Sequence, residues 1–498
     1  MDVFLVILTI ILAVVLLGVN FYFLIYYLDA SEKGFSDSWF LKILVLIGLM
    51  LAWAQVLTLP LDVSNTKGEG GGLRIDIMWQ IIFMSVFIYV VVLIPTASFY
   101  YESDEEETVA SRLCYTFKHL AFVVVIVGLI STIMYLLLAT THIPVETYTC
   151  AYSSSSDSFA DCDEGETTLK IPVTFPVYVM GLLSFVGWFL LVMFGGIGLS
   201  AIPLDFINMY RFRPQKLSPQ ELSAKERSLR NNAAQLRERI SSLKLKKAEL
   251  DIETSWFKKR SIKNSIRTET NRIQAETLIL EQQYDSYMLE KGVSKKSDLW
   301  YPVYLILGIV TLIVSLLLLL HTLLYVAIRS DGIPAHPFLN EMLIGLEHPS
   351  VSFLSTIVYA IFAIYLLLAV IKGNIKFGLR FFFCFQAHPI KKDATPMNSV
   401  LFNLNLILMA SVAVTLYSAN AFSMFTRLTD INNMFGIQVR YLEFFSYFYA
   451  NNVFEIMLLC WAFLTGIYLS FKSRDTAPQS NYDIEYEKQK LNFAKDQK

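Results

Sequence analysis

The chain is short of charge. Only 17% of its 498 residues are Asp, Glu, Lys or Arg, where a water-soluble protein carries about 25%. Together with 55% hydrophobic residues and a mean hydropathy of +0.49, this excludes a soluble enzyme, a disordered chain and a nucleic-acid-binding domain. Catalytic signatures are missing too. There is no Walker A sequence, no Gly-x-Ser-x-Gly, no His-Glu-x-x-His and no Cys-x-x-Cys. The glycines at Gly68–Gly72 lack the preceding strand that a dinucleotide fingerprint needs. The six histidines are scattered: His142, His336, His348 and His388 lie between apolar runs, and His119 and His321 near the ends of theirs. No metal cluster and no cofactor is expected from them. A net charge of −2 says little about partners.

What the chain has is long apolar runs. Nine are long enough to cross a bilayer, which takes about 20 residues: Val3–Leu28, Trp39–Leu59, Ile75–Tyr101, Phe117–Ala139, Val173–Ile202, Trp300–Ile328, Val351–Ile371, Ser399–Ser418 and Glu443–Phe471. They do not alternate, so a β-barrel is excluded. The expected fold is an all-α polytopic membrane protein. Five spans form an N-terminal half (1–202) and four a C-terminal half (299–471), with a charged insertion between them (203–298) and a polar tail (472–498). The first run lacks a basic flank and is too long for a cleavable signal.

Basic residues set the orientation. With the N-terminus outside or lumenal, 35 of the 41 Lys and Arg fall on the cytosolic side. Twenty of those lie in the long insertion, and without it the split is still 15 to six. The C-terminus is then cytosolic, in a plasma or endosomal/lysosomal membrane. Cys150 and Cys162 share one outer loop, either as a disulfide or as two free thiols. No outer loop holds a glycosylation sequon.

In the insertion, Leu222, Leu229, Leu236, Leu243 and Leu250 recur every seven residues, as do Ile266, Ile273, Leu280 and Tyr287. Heptad spacing lines each series along one helical stripe. With a break at Asp251–Ser261, the expectation is an antiparallel helical hairpin. The positions three residues after the leucines are polar, among them Lys225, Asn232 and Arg239, so the seam is narrow. The hairpin either packs only on itself or docks a protein partner. Lys258, Lys259, Arg260 and Lys263 add a third reading, contact with anionic headgroups.

Two segments echo each other. Pro60-Leu61-Asp62 and Pro203-Leu204-Asp205 each sit at the end of an apolar run, where proline is expected to end or kink the helix. They read as helix stops or as paired gating elements. On opposite membrane faces, the two aspartates cannot form a protease dyad. Gln55 and Glu455 lie at membrane depth. Asn451 and Asn452 precede Glu455 by one turn, so a polar face turned into the bundle is expected, with Glu455 against Gln55 or another polar residue. Gly195, Gly196, Gly198 and Ser200 make a smooth helix face suited to close packing.

The segments LPLDVSN (59–65), FYYESDEEE (99–107), GIGLSAIPLDFI (196–207) and GNIKFGLRFFF (373–383), in this order and spacing, resemble the limb-region-1-like membrane protein family. The resemblance covers nearly the whole membrane region. It implies nine spans and a non-enzymatic receptor or escort protein, for uptake of a small-molecule or lipocalin-type ligand or for a partner such as an ABC-type transporter or receptor. It carries over no catalytic residue. The competing reading is a transporter or channel in its own right, with a polar pathway near Glu455.

Overall fold

The computed structural model describes residues 3–29, 32–34, 39–66, 74–103, 108–152, 159–211, 213, 218–252, parts of 266–291, 300–330, 333–347, 352–381 and 385–471. Gly68–Gly72, His348, the Lys258–Lys263 basic run and the tail lie outside the described residues. The chain forms two compact units. One comprises residues 1–202 and 311–469, the other 203–310 and 470–498.

Nine helices among the described residues are long and apolar enough to cross a membrane. They are α1 (Val3–Tyr27), α2 (Trp39–Thr66), α3 (Ile75–Glu102), α4 (Val109–Leu138), α5 (Phe175–Arg211), α7 (Trp300–Ala327), α8 (Phe353–Phe377), α9 (Met397–Ala421) and α10 (Val453–Phe471). The helix α6 (Pro219–Ile252) belongs to the insertion. In the first unit α9 is the axis: 20 of its 25 residues are buried, packed chiefly on α5 and α2. By contrast α1 buries only Leu5, Asn20 and Leu24, and α4 only Thr116 and Ser131. A helix apolar all round belongs in lipid, and these two expose theirs.

Small residues set the closest approaches. A Cβ on Gly198 would lie 1.8 Å from the Ala369 carbonyl oxygen, and one on Gly373 would lie 1.9 Å from that of Phe194. α5 and α8 therefore touch backbone to backbone, as the glycine-rich face anticipates. Ser200 donates to the Ala462 carbonyl at 3.0 Å, tying α5 to α10.

Three boundaries differ from the sequence reading. The helices run on past both prolines, α2 to Thr66 and α5 to Arg211, so Pro-Leu-Asp does not terminate them. Proline removes one hydrogen bond but leaves the following turns free to continue when tertiary contacts hold them. The last span starts at Val453, not at residue 443. Asn452 takes a left-handed backbone, φ 51°, which breaks the helix just before it. The third difference is a structured connection between α9 and α10. Residues 430–439 form a short helix, mostly with π-type bonding (Asn432–Val439), followed by the turn Ser446–Tyr449. Phe435, Val439, Leu442, Phe445 and Tyr449 are all buried.

Asp62 holds this connection. Its side chain is fully buried. Oδ2 accepts from Trp79 Nε1 and from the Ile431 N–H, both at 2.9 Å, and Oδ1 accepts from the Asp430 N–H at 3.2 Å. The carboxylate thus caps a helix start far away in sequence, supplying acceptors for N–H groups that have none within their own helix.

The all-α expectation missed a β-hairpin. Thr140–Tyr152 (β1) and Phe159–Pro172 (β2) pair antiparallel. Its base is stitched to the connection. The His142 N–H donates to the Tyr441 carbonyl at 2.9 Å, the Glu443 N–H to the Thr140 carbonyl at 3.0 Å, and Thr141 Oγ1 to the Gln438 carbonyl at 2.8 Å. The register sets Cys150 directly opposite Cys162. Opposed residues on antiparallel strands lie at a Cα separation that a disulfide spans.

In the second unit, α6 begins at a reciprocal cap. The Glu221 N–H donates to Ser218 Oγ at 3.2 Å, and the Ser218 N–H to Glu221 Oε2 at 2.8 Å. Arg239 meets Glu276 at 2.8 Å, and the Tyr287 hydroxyl donates to Glu226 at 2.9 Å. These two pairings run in opposite directions along the chain, so the helices are antiparallel. Leu229, Leu236, Ile273 and Tyr287 form the buried seam that the heptads anticipate.

Three outcomes follow. Asp62→Ala would strand two buried donors, Trp79 Nε1 and the Ile431 N–H, at roughly 1–3 kcal/mol each, and should sharply lower the melting temperature and the yield in detergent; an unchanged melting temperature would refute the cap. Peptide mapping without reductant should recover Cys150 joined to Cys162, and recovering both as free thiols would remove the bridge. Residues 215–292 expressed alone should be helical by circular dichroism, and Leu236→Pro should cost about 3 kcal/mol or more. That helicity should also fall in acid. The Ser218 N–H holds Glu221, and the Tyr287 hydroxyl holds Glu226, below the ordinary carboxylate value. A depressed folded value means a contribution present above the unfolded pKa, about 4.3, and lost as pH falls through the folded one.

Candidate functional site: a buried polar cluster at the start of the last span

Glu455 lies in the first turn of α10, not a third of the way along a longer span. It is fully buried, and among the described residues the polar side chain set against its carboxyl is that of Asn420, at the end of α9. The two are in reach of each other but make no well-formed hydrogen bond, and both polar side-chain atoms of Asn420 are buried. Asn420 is the neighbouring polar group on α9, and Arg440 and Arg329 bring positive charge to bear on the carboxyl. Arg440 reaches toward Asn452 Oδ1 at 3.5 Å, while its Nε is buried without a partner. Asn452 in turn donates to the Val326 carbonyl at 3.2 Å. Burial, and then the charge of Arg440, press the Arg329 guanidinium below its ordinary pKa.

The walls of the cluster are hydrogen-bonded aromatics. The Tyr417 hydroxyl meets Thr322 Oγ1 at 2.5 Å and the Tyr449 hydroxyl meets Ser184 Oγ at 3.0 Å. Trp188 stacks on Phe454 with ring centroids 5.4 Å apart. The Phe185 ring lies 5.2–5.9 Å from those of Phe444, Phe445, Phe448 and Phe454. One acid and two amides are thus buried, with two half-buried guanidiniums beside them. Buried groups of this kind are normally satisfied, and they carry a cost in hydrocarbon. The arrangement suits a small polar guest, ordered water or a proton.

Gln55 is not part of it. Its Nε2 donates to Ser411 Oγ at 2.6 Å, tying α2 to α9. Asn451 is exposed and bonds the Tyr447 carbonyl, so the polar face turned inward consists of Asn452 and Glu455 without it. Asp62 serves the cap described above. Pro60 is buried and Leu61 half-buried beside it; Pro203, Leu204 and Asp205 fall in the other unit. His321 is buried, and its Nε2 donates to the Ala421 carbonyl at 2.8 Å, where Asn340 Nδ2 also donates at 3.0 Å, so it caps the end of α9. No cluster of His, Cys, Asp and Glu among the described residues could hold a metal ion. Sequence reasoning missed Asn420, Arg440 and Arg329. Asn420 lies two residues beyond the expected end of its span, and the arginines were counted as loop charge.

The family model of LMBR1-like membrane proteins matches residues 5–297 and again 256–469. A LIMR family protein of Dictyostelium discoideum is 30% identical over 95% of this chain and 98% of its own length. LIMR family proteins of Oryza sativa subsp. japonica and Arabidopsis thaliana are 28% and 30% identical over 97% and 93% of the chain, and 99% and 95% of their own. None of these relatives carries the name of an enzyme. No solved structure matches the chain. With a family model spanning most of the sequence and near full-length relatives at this identity, the chain belongs to the family of LMBR1-like membrane proteins.

Proposed function

We propose that the chain is a non-enzymatic membrane receptor or escort protein, serving ligand uptake or a partner membrane transporter from a plasma or endosomal/lysosomal membrane. The observation that carries this reading is the junction between the β-hairpin and the connection leading to Glu455. Thr140, Thr141 and His142 are bonded to Gln438, Tyr441 and Glu443, on either side of Arg440 and ten residues or more before the start of α10 at Val453. In the N-out orientation the hairpin faces outward. Whatever binds it then pulls on a segment wedged into the bundle core, which is how an outer appendage reports to buried helices. The helical hairpin, on the cytosolic side in that orientation, supplies a second surface for protein contacts.

The fully buried acid Glu455, set against Asn420, favours one alternative, a transporter with a polar pathway through this cluster. One pair of experiments separates the two. Purified from native membranes, the protein should bring a stoichiometric partner or ligand, and Thr141→Val with Glu443→Ala should weaken that recovery about tenfold at unchanged yield. Recovery of the chain alone, with flux in liposomes that Glu455→Gln abolishes, would replace the receptor reading with the transporter.

A further inference from the structure

The helical hairpin has two faces, one on each side of its leucine seam. One face holds a groove of about 450 Å³, larger than the groove of about 300 Å³ around Asn232, Arg239 and Glu276 on the other. The floor of the larger groove is Leu229, Ala233, Leu280 and Tyr287. Tyr284 and Met288 stand at its edge, 51% and 48% exposed. Exposed aromatic and methionine side chains beside a hollow over an alanine are the parts of a helix-packing interface. Two antiparallel helices can bury only one stripe each. A four-helix bundle buries the flanks as well.

The rim charges say what fits. On α6 the rim carries Glu226 and Arg230, which pair with each other at 2.9 Å; on the second helix it carries Glu281 and Lys291, the latter beside Glu226 of its own hairpin. Because Glu226 stands opposite Tyr287 and Arg239 opposite Glu276, heights along the hairpin can be compared. Lys291 lies within about one turn, roughly 5 Å, of the height of Glu226. Glu281 lies within about one turn of the height of Arg230. Now set a second copy face to face. Both copies have their open ends tied to membrane spans, so the open ends stay side by side. A two-fold axis along the hairpins then brings each α6 rim against the second-helix rim of its partner. Glu226 meets a lysine and Arg230 meets a glutamate, twice each by symmetry. The rim has no net charge, which argues against a polyanion or an anionic membrane as the occupant.

We propose that this face is a homodimer interface: the groove over Leu229 and Ala233 receives Tyr284 and Met288 of a second copy of this chain, and Arg230 pairs with Glu281 across a two-fold axis to complete a four-helix bundle. This stands independently of the receptor reading, since a receptor and a transporter alike can be dimers. The opposite face, with Arg239 and Glu276, remains free for other contacts.

The test is a charge swap in the full-length protein reconstituted in nanodiscs large enough for two copies, read by mass photometry. Wild type should be dimeric. Arg230→Glu and Glu281→Arg should each weaken dimerisation about tenfold or more, and the two together should restore it. Arg230 is largely exposed, so folding should survive, checked by an unchanged melting temperature. Ala233→Trp, which fills the hollow, should also yield monomers. A monomeric wild type overturns the proposal, as does a dimer indifferent to both reversals or one not rescued by the pair. A monomer that loses an unlike protein partner through the same reversals would assign the groove to an amphipathic helix instead.

Discussion

The carboxylate of Asp62 satisfies an indole N–H and two backbone N–H groups in a place that water does not reach. Partners supplied by the protein let a non-helical or freshly started stretch of backbone persist inside the bundle. The segment from Thr426 to Asn452 is such a stretch. Its helix start is held by Asp62 from α2, its aromatic side chains pack against α5, and its far end delivers Asn452 to the carbonyl of Val326. Remove the carboxylate and the connection loses the anchor that keeps residues 430–439 inside the bundle. The β-hairpin, bonded to the same connection at Tyr441 and Glu443, would lose its footing with it.

Much of this architecture is legible in the sequence. Nine apolar runs are visible, and helices stand within a few residues of most of them, because the length and apolarity needed to cross a bilayer leave little room for ambiguity. The heptads likewise announce the seam of Leu229, Leu236, Ile273 and Tyr287. What stays hidden is long-range pairing. Pro60-Leu61-Asp62 draws attention as a motif, yet nothing near Asp430 and Ile431 says that their amides await a carboxylate from 368 residues away. The β-hairpin is hidden for a different reason. Thr140–Tyr152 is rich in Thr and Tyr, but its short polar stretch, set between apolar runs, reads as a loop.

The polar cluster illustrates the same limit. Glu455 stands out because an acid in an apolar run is conspicuous. Asn452 stands out with it, but Arg329 and Arg440 do not, since they come from loop-like segments that reach the cluster only once the connection folds. Gln55, equally conspicuous, finds Ser411 and becomes an ordinary interhelical hydrogen bond. A buried polar residue in such a chain is a question, and the answer depends on whether a partner arrives. For Gln55 one does. Glu455 and Asn420 stand against each other, and among the described residues neither makes a well-formed hydrogen bond.

The central position of α9 bears on how the protein is made. A helix with 20 of 25 residues covered by protein has little need to be soluble in lipid, and it carries Asn403, Asn405, Ser411, Thr415, Ser418 and Asn420 accordingly. During synthesis, however, it emerges after seven more lipid-compatible helices and before α10. The groove formed by α2, α5 and α8 shields its asparagine amides from lipid, whereas the hydroxyls of Ser411, Thr415 and Ser418 bond carbonyls of α9 itself and would keep those partners in bare bilayer. A chain that stalls or is truncated before Met397 would have a ring of helices with an empty axis, a form that quality control in the membrane can distinguish from the finished protein by the polar groups left facing the gap.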